Sequence, residues 1–347
     1  MLYPQNIFKK YLFSLQTLQK FDSHEMYKIY DEWPQIAEES YDAELEPIKL
    51  QDIDHIVFAG MGGSGAIGSI FSSIVSKTNI HVSIVKGYVL PKTVDSETLV
   101  VTTSVSGNTD ETLTILKSAS KKDCKVISLS SGGKMEKFSM DNKIEFRKIP
   151  EIHSPRASFT RFLYSMLKIL DPIMPIPKKD IFESIEEMQI LNHSINSKNL
   201  TDSNPSLELA EWISGIPLIY YPAGLQAAAI RFKNSLQENA KMHAITEDVV
   251  ESSHNGIVSW EQQSSVIPIL IQGADDYVKT KERWQIIQRF FDEKNIEYRE
   301  ICSGKGSILT KLMRLVYLFD YASIYKAALS GIDPTPVKSI RFVKNNL

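Results

Sequence analysis

Two short polar segments of this chain carry the residue types that hold a phosphate. The first is Gly60-Met61-Gly62-Gly63-Ser64-Gly65, and the second is Ser104-Val105-Ser106-Gly107-Asn108-Thr109. Each follows an apolar run that reads as a strand, and each opens a helical pattern. Glycines let the backbone turn sharply and bring bare N–H groups close to a ligand. Behind the first loop, Ile67, Ile70, Phe71 and Ile74 recur at helical spacing, so the free amides and positive dipole end of that helix face whatever sits over Ser64. Behind the second, Leu113, Leu116 and Ala119 give an apolar face, and Asn108 with Glu111 stands at capping-box spacing. Hydroxyls of Ser104, Ser106 and Thr109 complete a cradle for phosphate oxygens, with Gly62, Gly63 and Ser64 as its other wall.

Gly60-x-Gly62-x-x-Gly65 also fits a dinucleotide fingerprint, which wants an acidic residue at the end of the second strand. Here that strand, His81-Val82-Ser83-Ile84-Val85, runs into Lys86 and Gly87 instead, so no nicotinamide cofactor is expected. The histidines are scattered and His243-x-x-x-Glu247 is no ligand motif, so no metal is expected either. A formal charge of −3 over 347 residues argues against a nucleic-acid surface, which makes any attraction for phosphate local. Cys124 and Cys302 lie far apart in sequence and fit a reducing, cytoplasmic setting, although the sequence leaves a disulfide open. The start of the chain shows no export signal, and the most apolar later stretches are interrupted by charge, so no membrane insertion is indicated.

The elements that must position these loops follow from periodicity. Residues 1–45 read as a helical arm, with Phe8, Tyr11, Leu12 and Leu15 on one stripe and Met26, Ile29, Tyr30 and Trp33 on another. Residues 46–170 alternate strands and helices, the pattern of a doubly wound, mostly parallel α/β sheet. Residues 171–206 read as a helical linker whose polar end runs from Asn192 to Pro205. From 207 to 347 the alternation resumes, with strands near 216–221, 266–271 and 297–302 and helices near 225–241, 280–293 and 307–329. This reads as a second copy of the fold without a second Ser-x-Ser-Gly-Asn-Thr loop, so one phosphate site per chain is expected.

The paired loops, in this order, resemble the sugar isomerase (SIS) domain. Further on, Gln237-Glu238-Asn239-Ala240-Lys241, then Ser253-His254-Asn255 with Ile257, Val258 and Trp260, then Asp333-Pro334-Thr335-Pro336-Val337 extend that likeness. Together they resemble the bifunctional phosphoglucose/phosphomannose isomerase family, which has two SIS domains. The resemblance implies an enzyme that interconverts glucose 6-phosphate, and mannose 6-phosphate, with fructose 6-phosphate. It implies Glu238 as the base moving a proton between C1 and C2, His254 as the ring-opening histidine and Arg156, in Ser154-Pro155-Arg156-Ala157, as the stabiliser of the enediolate. It implies a C-terminal lysine that assists ring opening, best matched by Lys344 with Lys338 as the fallback. It further implies a homodimer in which the histidine enters the neighbouring subunit's site.

Those residue types suit the chemistry. A neutral imidazole and an ammonium can share ring opening near pH 7, a partly buried glutamate can act as base, and a guanidinium stabilises negative charge without giving up a proton. Without the resemblance, Glu238 would read as a solvated partner of Lys241, three residues away, and His254 as an ordinary loop histidine. The chain departs from the family where Gly256 replaces a glutamate, Ser259 a glycine and Gln237 an asparagine. Two other readings share the cradle. One is a non-catalytic sugar-phosphate sensor, which has no use for Glu238, His254 and Arg156 together; the other is an isomerase of amino-sugar phosphates.

Overall fold

The computed structural model describes residues 13–174 and 176–347. Phe8, Tyr11 and Leu12 of the expected first stripe lie outside them. In chain order the elements are α1 Leu15–Phe21, α2 Met26–Asp31, α3 Trp33–Asp42, β1 His55–Ala59, α4 Gly62–Val75, β2 His81–Val85, β3 Thr98–Ser104, α5 Asp110–Ala119, β4 Lys125–Ser130, α6 Gly133–Asp141, β5 Glu145–Lys148 and α7 Phe159–Ile169. Then come α8 Lys178–Ile195, α9 Pro205–Trp212, β6 Ile216–Tyr221, α10 Gln226–Asn239, β7 Ile245–Asp248, α11 Val249–Ser252, a 3₁₀ turn Gly256–Glu261, β8 Val266–Gln272, α12 Val278–Glu293, β9 Arg299–Cys302, α13 Ile308–Leu329 and α14 Lys338–Asn345.

The strands form two sheets, β2-β1-β3-β4-β5 and β7-β6-β8-β9, with every pairing parallel. The second order repeats the first without its last strand, so both halves share a switch point between their first and third strands, where α/β folds place ligands. Alternation along the strands explains the layers. Ile56 and Phe58 of β1 face the main core with Ile67 and Phe71 of α4, whereas Val57 and Ala59 pack on the other face with Ile115 and Ala119 of α5. In the second sheet Ile219 and Ile269 join the main core, and Leu218, Tyr220 and Leu270 pack with Trp284 and Phe291 of α12. One continuous core thus joins the two sheets, with α13 in its middle, packed against α8, α9 and α10. Trp33 stacks on Phe159 and Tyr317 there and donates from its indole N–H to the Ala157 carbonyl, at 3.1 Å.

The elements differ from the sequence reading in specific places. Leu15 is exposed, so α1 enters the core through Leu18 instead. The polar end of the proposed linker is folded. Ser197 donates from its backbone and hydroxyl to Asp31, and Asn204 caps α9 by accepting from the amides of Ser206 and Leu207. Its polar residues serve as caps and ties, which composition alone reads as a tether. The edge strand β7 leaves little trace in the sequence, being four residues long and carrying Glu247 and Asp248. The capping box at Asn108 does not form: Thr109 is the N-cap of α5, and the Asn108 amide turns to the Ser106 carbonyl and the Lys134 N–H. Cys124 and Cys302 are free thiols. Among the described residues no helix is long and apolar enough to cross a membrane.

Candidate active site

The cradle forms at the carboxyl ends of β1 and β3. Gly60 lies against the Thr103 carbonyl and Ser64, and Gly65 crosses so close to the Gly60 carbonyl that a Cβ there would stand 2.6 Å from its oxygen. The second loop is fixed from below. Gly107 has φ +66°, and a Cβ on it would fall 1.8 Å from the Gly132 carbonyl oxygen. The Ser131 amide and hydroxyl donate to the Val105 carbonyl, at 2.9 and 2.7 Å, and the Met135 amide donates to the Gly107 carbonyl at 3.0 Å. Ser104 and Thr109 share a hydroxyl hydrogen bond of 2.8 Å, and Ser106 accepts from the Asn108 amide at 3.3 Å. Gly63, Ser64, Ser106 and Thr109 are half-buried and Gly62 is exposed, so amides and hydroxyls remain reachable by an anion.

Beside α4 a cleft of about 850 Å³ opens between the end of α10 and the C-terminal segment. Gly62, Gln237, Glu238, Lys241 and Lys338 line it, a size that holds a small ligand. Glu238 is in the last turn of α10, with its carboxylate 3.6 Å from Arg156 Nη1; the arginine side chain is 6% exposed and the glutamate's 25%. Arg156 spends its other nitrogens on structure. Nε donates to Asn239 Oδ1 at 2.7 Å, and Nη2 donates to the carbonyls of Pro334 and Thr335 at 2.6 and 2.9 Å. The Lys241 ammonium bonds the Glu238 backbone carbonyl, so the simple surface pair between the two side chains does not describe them.

A buried network that sequence reasoning missed holds this corner. Arg231 pairs with Asp320 at 2.6 Å, both out of solvent, and donates to the Arg156 carbonyl at 2.8 Å. Its guanidinium also lies 4.4 Å over the Phe159 ring. Ser235 donates to Asp320, and Asn239 donates to Ser323. Residues 231, 235 and 239 form a polar stripe at i, i+4, i+8 on a buried helix face, and 320 and 323 answer it on α13. Such a stripe where an apolar one belongs is the signal that could have found them.

His254 is exposed in the turn between α11 and the 3₁₀ segment and is not among the residues that line its own chain's cleft. Lys344 is exposed in the last turn of α14, whereas Lys338, at its first, reaches the cleft wall. Gly256 is explained by β7. A Cβ there would stand 2.4 Å from a Glu247 carboxylate oxygen, so a carboxylate from another element occupies that space. Burial, then Glu251, raises the Glu247 pKa. Trp260 of the same turn donates to the Tyr220 hydroxyl at 2.8 Å, and Tyr220 is the β-sheet partner of Glu247.

Residues 49–170 match the SIS domain family, and residues 202–347 match the bacterial phospho-glucose isomerase C-terminal SIS domain. A bifunctional phosphoglucose/phosphomannose isomerase of Caldicellulosiruptor bescii is 33% identical, over 86% of this chain and 91% of that protein. One from Aquifex aeolicus is 30% identical, over 93% and 98%. Among solved structures, the C-terminal domain of a glucosamine-fructose-6-phosphate aminotransferase from Francisella tularensis superposes with a TM-score of 0.65 at 18% identity, covering 87% of this chain and 96% of that one. That last likeness concerns the fold. The two isomerase relatives, 33% and 30% identical over most of both chains, decide the family: the chain belongs to the bifunctional phosphoglucose/phosphomannose isomerase family.

Proposed function

We propose that this chain interconverts glucose 6-phosphate, and mannose 6-phosphate, with fructose 6-phosphate, using Glu238 as the base and Arg156 as its charged partner. The carrying observation is the 3.6 Å approach of Arg156 to the Glu238 carboxylate at the cleft. The phosphate binds the first amides of α4 and the hydroxyls of Ser64, Ser104, Ser106 and Thr109, which leaves the sugar lying toward α10. Glu238 takes the C2 proton and returns it to C1; the Arg156 guanidinium, unable to lose its own proton, stabilises the enediolate between the two transfers.

Ring opening belongs to His254 and a lysine. Lys338 lines the cleft and suits that task better than Lys344. His254 is exposed and does not line its own chain's cleft, which supports a homodimer whose sites each take the histidine of the neighbouring copy. The 46–170 unit then supplies phosphate binding and the 207–347 unit the base, in a cytoplasmic metabolic enzyme. The test is Glu238→Gln, which keeps shape and removes the base. Turnover should fall by about 10²–10⁴ with sugar-phosphate binding retained. Incorporation of solvent deuterium at C2 by the variant at the wild-type rate would dismiss Glu238 as the base.

A further inference from the structure

Lys241 stands just past Ala240, the C-cap of α10, and adopts a left-handed backbone conformation, φ 55°, that residues other than glycine and asparagine rarely take. Its ammonium donates to two carbonyls, that of Glu238 at 2.5 Å and that of Pro334 at 2.9 Å. Pro334 also accepts from Arg156, so two cations hold one carbonyl. The surrounding segment is tied as well. Ser23 donates to Asp333 at 2.8 Å, and the Thr335 amide donates to the same carboxylate at 2.9 Å. Beyond it, α14 forms a wall of the cleft through Lys338 and Ile340, yet none of its residues is buried. The position of that wall therefore depends on how residues 333–335 are fastened.

We propose that Lys241 is a positioning residue, a latch that ties the helix end carrying Glu238 to the C-terminal segment and sets how closely α14 covers the cleft. Its consequence for catalysis rests on the isomerase reading; the latch itself does not. Burial, then the charge of Arg156, lowers the Lys241 pKa from 10.5 to about 8, against the opposing pull of Asp333 and Glu238. Arg156 faces it from the loop before α7, Asp333 from the C-terminal segment with His24 3.6 Å from that carboxylate, and Glu238 from its own helix. A released lysine regains its ordinary value. Between about pH 8 and 10.5 the latched form then binds fewer protons than the released one, so raising the pH through this range favours the latched form. Below pH 8 both forms are protonated, and the latch carries the full burden of a partly dried ammonium beside a guanidinium.

Hydrogen exchange of peptides spanning 336–345, corrected for the intrinsic rate and compared between pH 7 and 9.5, reads the latch without reference to activity. The wild type should gain protection there as pH rises, with β8 as an unchanging control. Lys241→Met should lose about tenfold in protection, the scale of one charge-assisted hydrogen bond, and lose the pH dependence. Lys241→Arg should keep the protection without the pH dependence, since a guanidinium does not titrate in this range. In the isomerase assay Lys241→Met should raise KM for fructose 6-phosphate more than it lowers kcat, and Lys241→Arg should restore it. Unchanged protection and pH dependence in Lys241→Met overturn the latch. Wild-type protein with the latch signature and no isomerase activity would overturn the functional reading and leave the latch standing.

Discussion

Replacing Arg156 by lysine keeps the charge and removes the planar fork, which tests whether one group must both face Glu238 and fasten the chain. The guanidinium makes three hydrogen bonds, to Asn239, Pro334 and Thr335, while Nη1 stands 3.6 Å from Glu238. An ammonium is a point charge and cannot span these partners. Drawn toward Glu238 it leaves Asn239 and Thr335 without their donor; drawn toward the carbonyls it leaves Glu238 alone. Lys241 still holds Pro334 in either case. A hydrogen bond to a charged group contributes about 1.5–3 kcal/mol. Those sharing one cation do not add, so the loss is capped near the ~3–5 kcal/mol of a broken buried charge contact. Falling on the transition state, that is a drop of about 10²–10⁴ in kcat/KM. The assay is conversion of fructose 6-phosphate to glucose 6-phosphate, read through a coupled NADP-dependent dehydrogenase, with thermal melting in parallel. Activity within about threefold of wild type, roughly 0.7 kcal/mol, would refute this reasoning and show that a bare positive charge beside Glu238 suffices without the guanidinium's three hydrogen bonds.

Ser106→Ala should raise KM for sugar phosphates more than it lowers kcat, and unchanged KM would reject the hydroxyl cradle. Glu238→Gln and His254→Ala, each inactive alone, should recover activity when mixed under subunit exchange, because a mixed dimer regains one complete site; exchange proven by mass spectrometry without recovery would rule out a shared site. Gly256→Ala should cost little, since the Glu247 carboxylate that a Cβ meets is the mobile end of its side chain. Gly256→Glu, by contrast, sets a new carboxylate beside Glu247, whose pKa burial and Glu251 already raise. Like charges raise folded-state carboxylate pKa values further, so the melting deficit of Gly256→Glu should be larger at pH 8 than at pH 5 and vanish in a Glu247→Gln background. An equal deficit at both pH values would refute the charge account.

What could be read from the sequence was whatever is local. The strand, glycine turn and helix around Gly60 and around Gly107 are written in adjacent residues, and both loops formed where periodicity placed them. The parallel alternation of both halves was equally plain. Contacts between distant segments were not. Arg231 and Asp320 are 89 residues apart, and Arg156 meets Pro334 across 178. No window of the chain announces either pairing. Lys241 illustrates the limit well: spacing suggested a surface pair with the Glu238 carboxylate, whereas its left-handed backbone let the ammonium reach that residue's carbonyl instead. Recognition of the motif brought Glu238 and Arg156 to notice separately, and only the fold put them 3.6 Å apart.

The placement of α13 has a consequence for how the molecule is made. Translation delivers the amino-terminal end first, at about 5–20 residues per second, and domains commonly fold as they emerge. Here the first sheet is complete at Lys148, yet Trp33 of α3 and the apolar side chains of α8, Ile181, Ile185 and Met188, belong to a core centred on α13. Their covering helix begins only at Ile308. A nascent chain must therefore carry exposed apolar surface through most of its synthesis, and a product released before residue 308 is left with two half-covered sheets that invite aggregation. The wall of the cleft comes later still, with α14. Termination before α13 therefore yields material for chaperones and proteases, whereas termination between α13 and α14 leaves a covered core whose cleft lacks a wall.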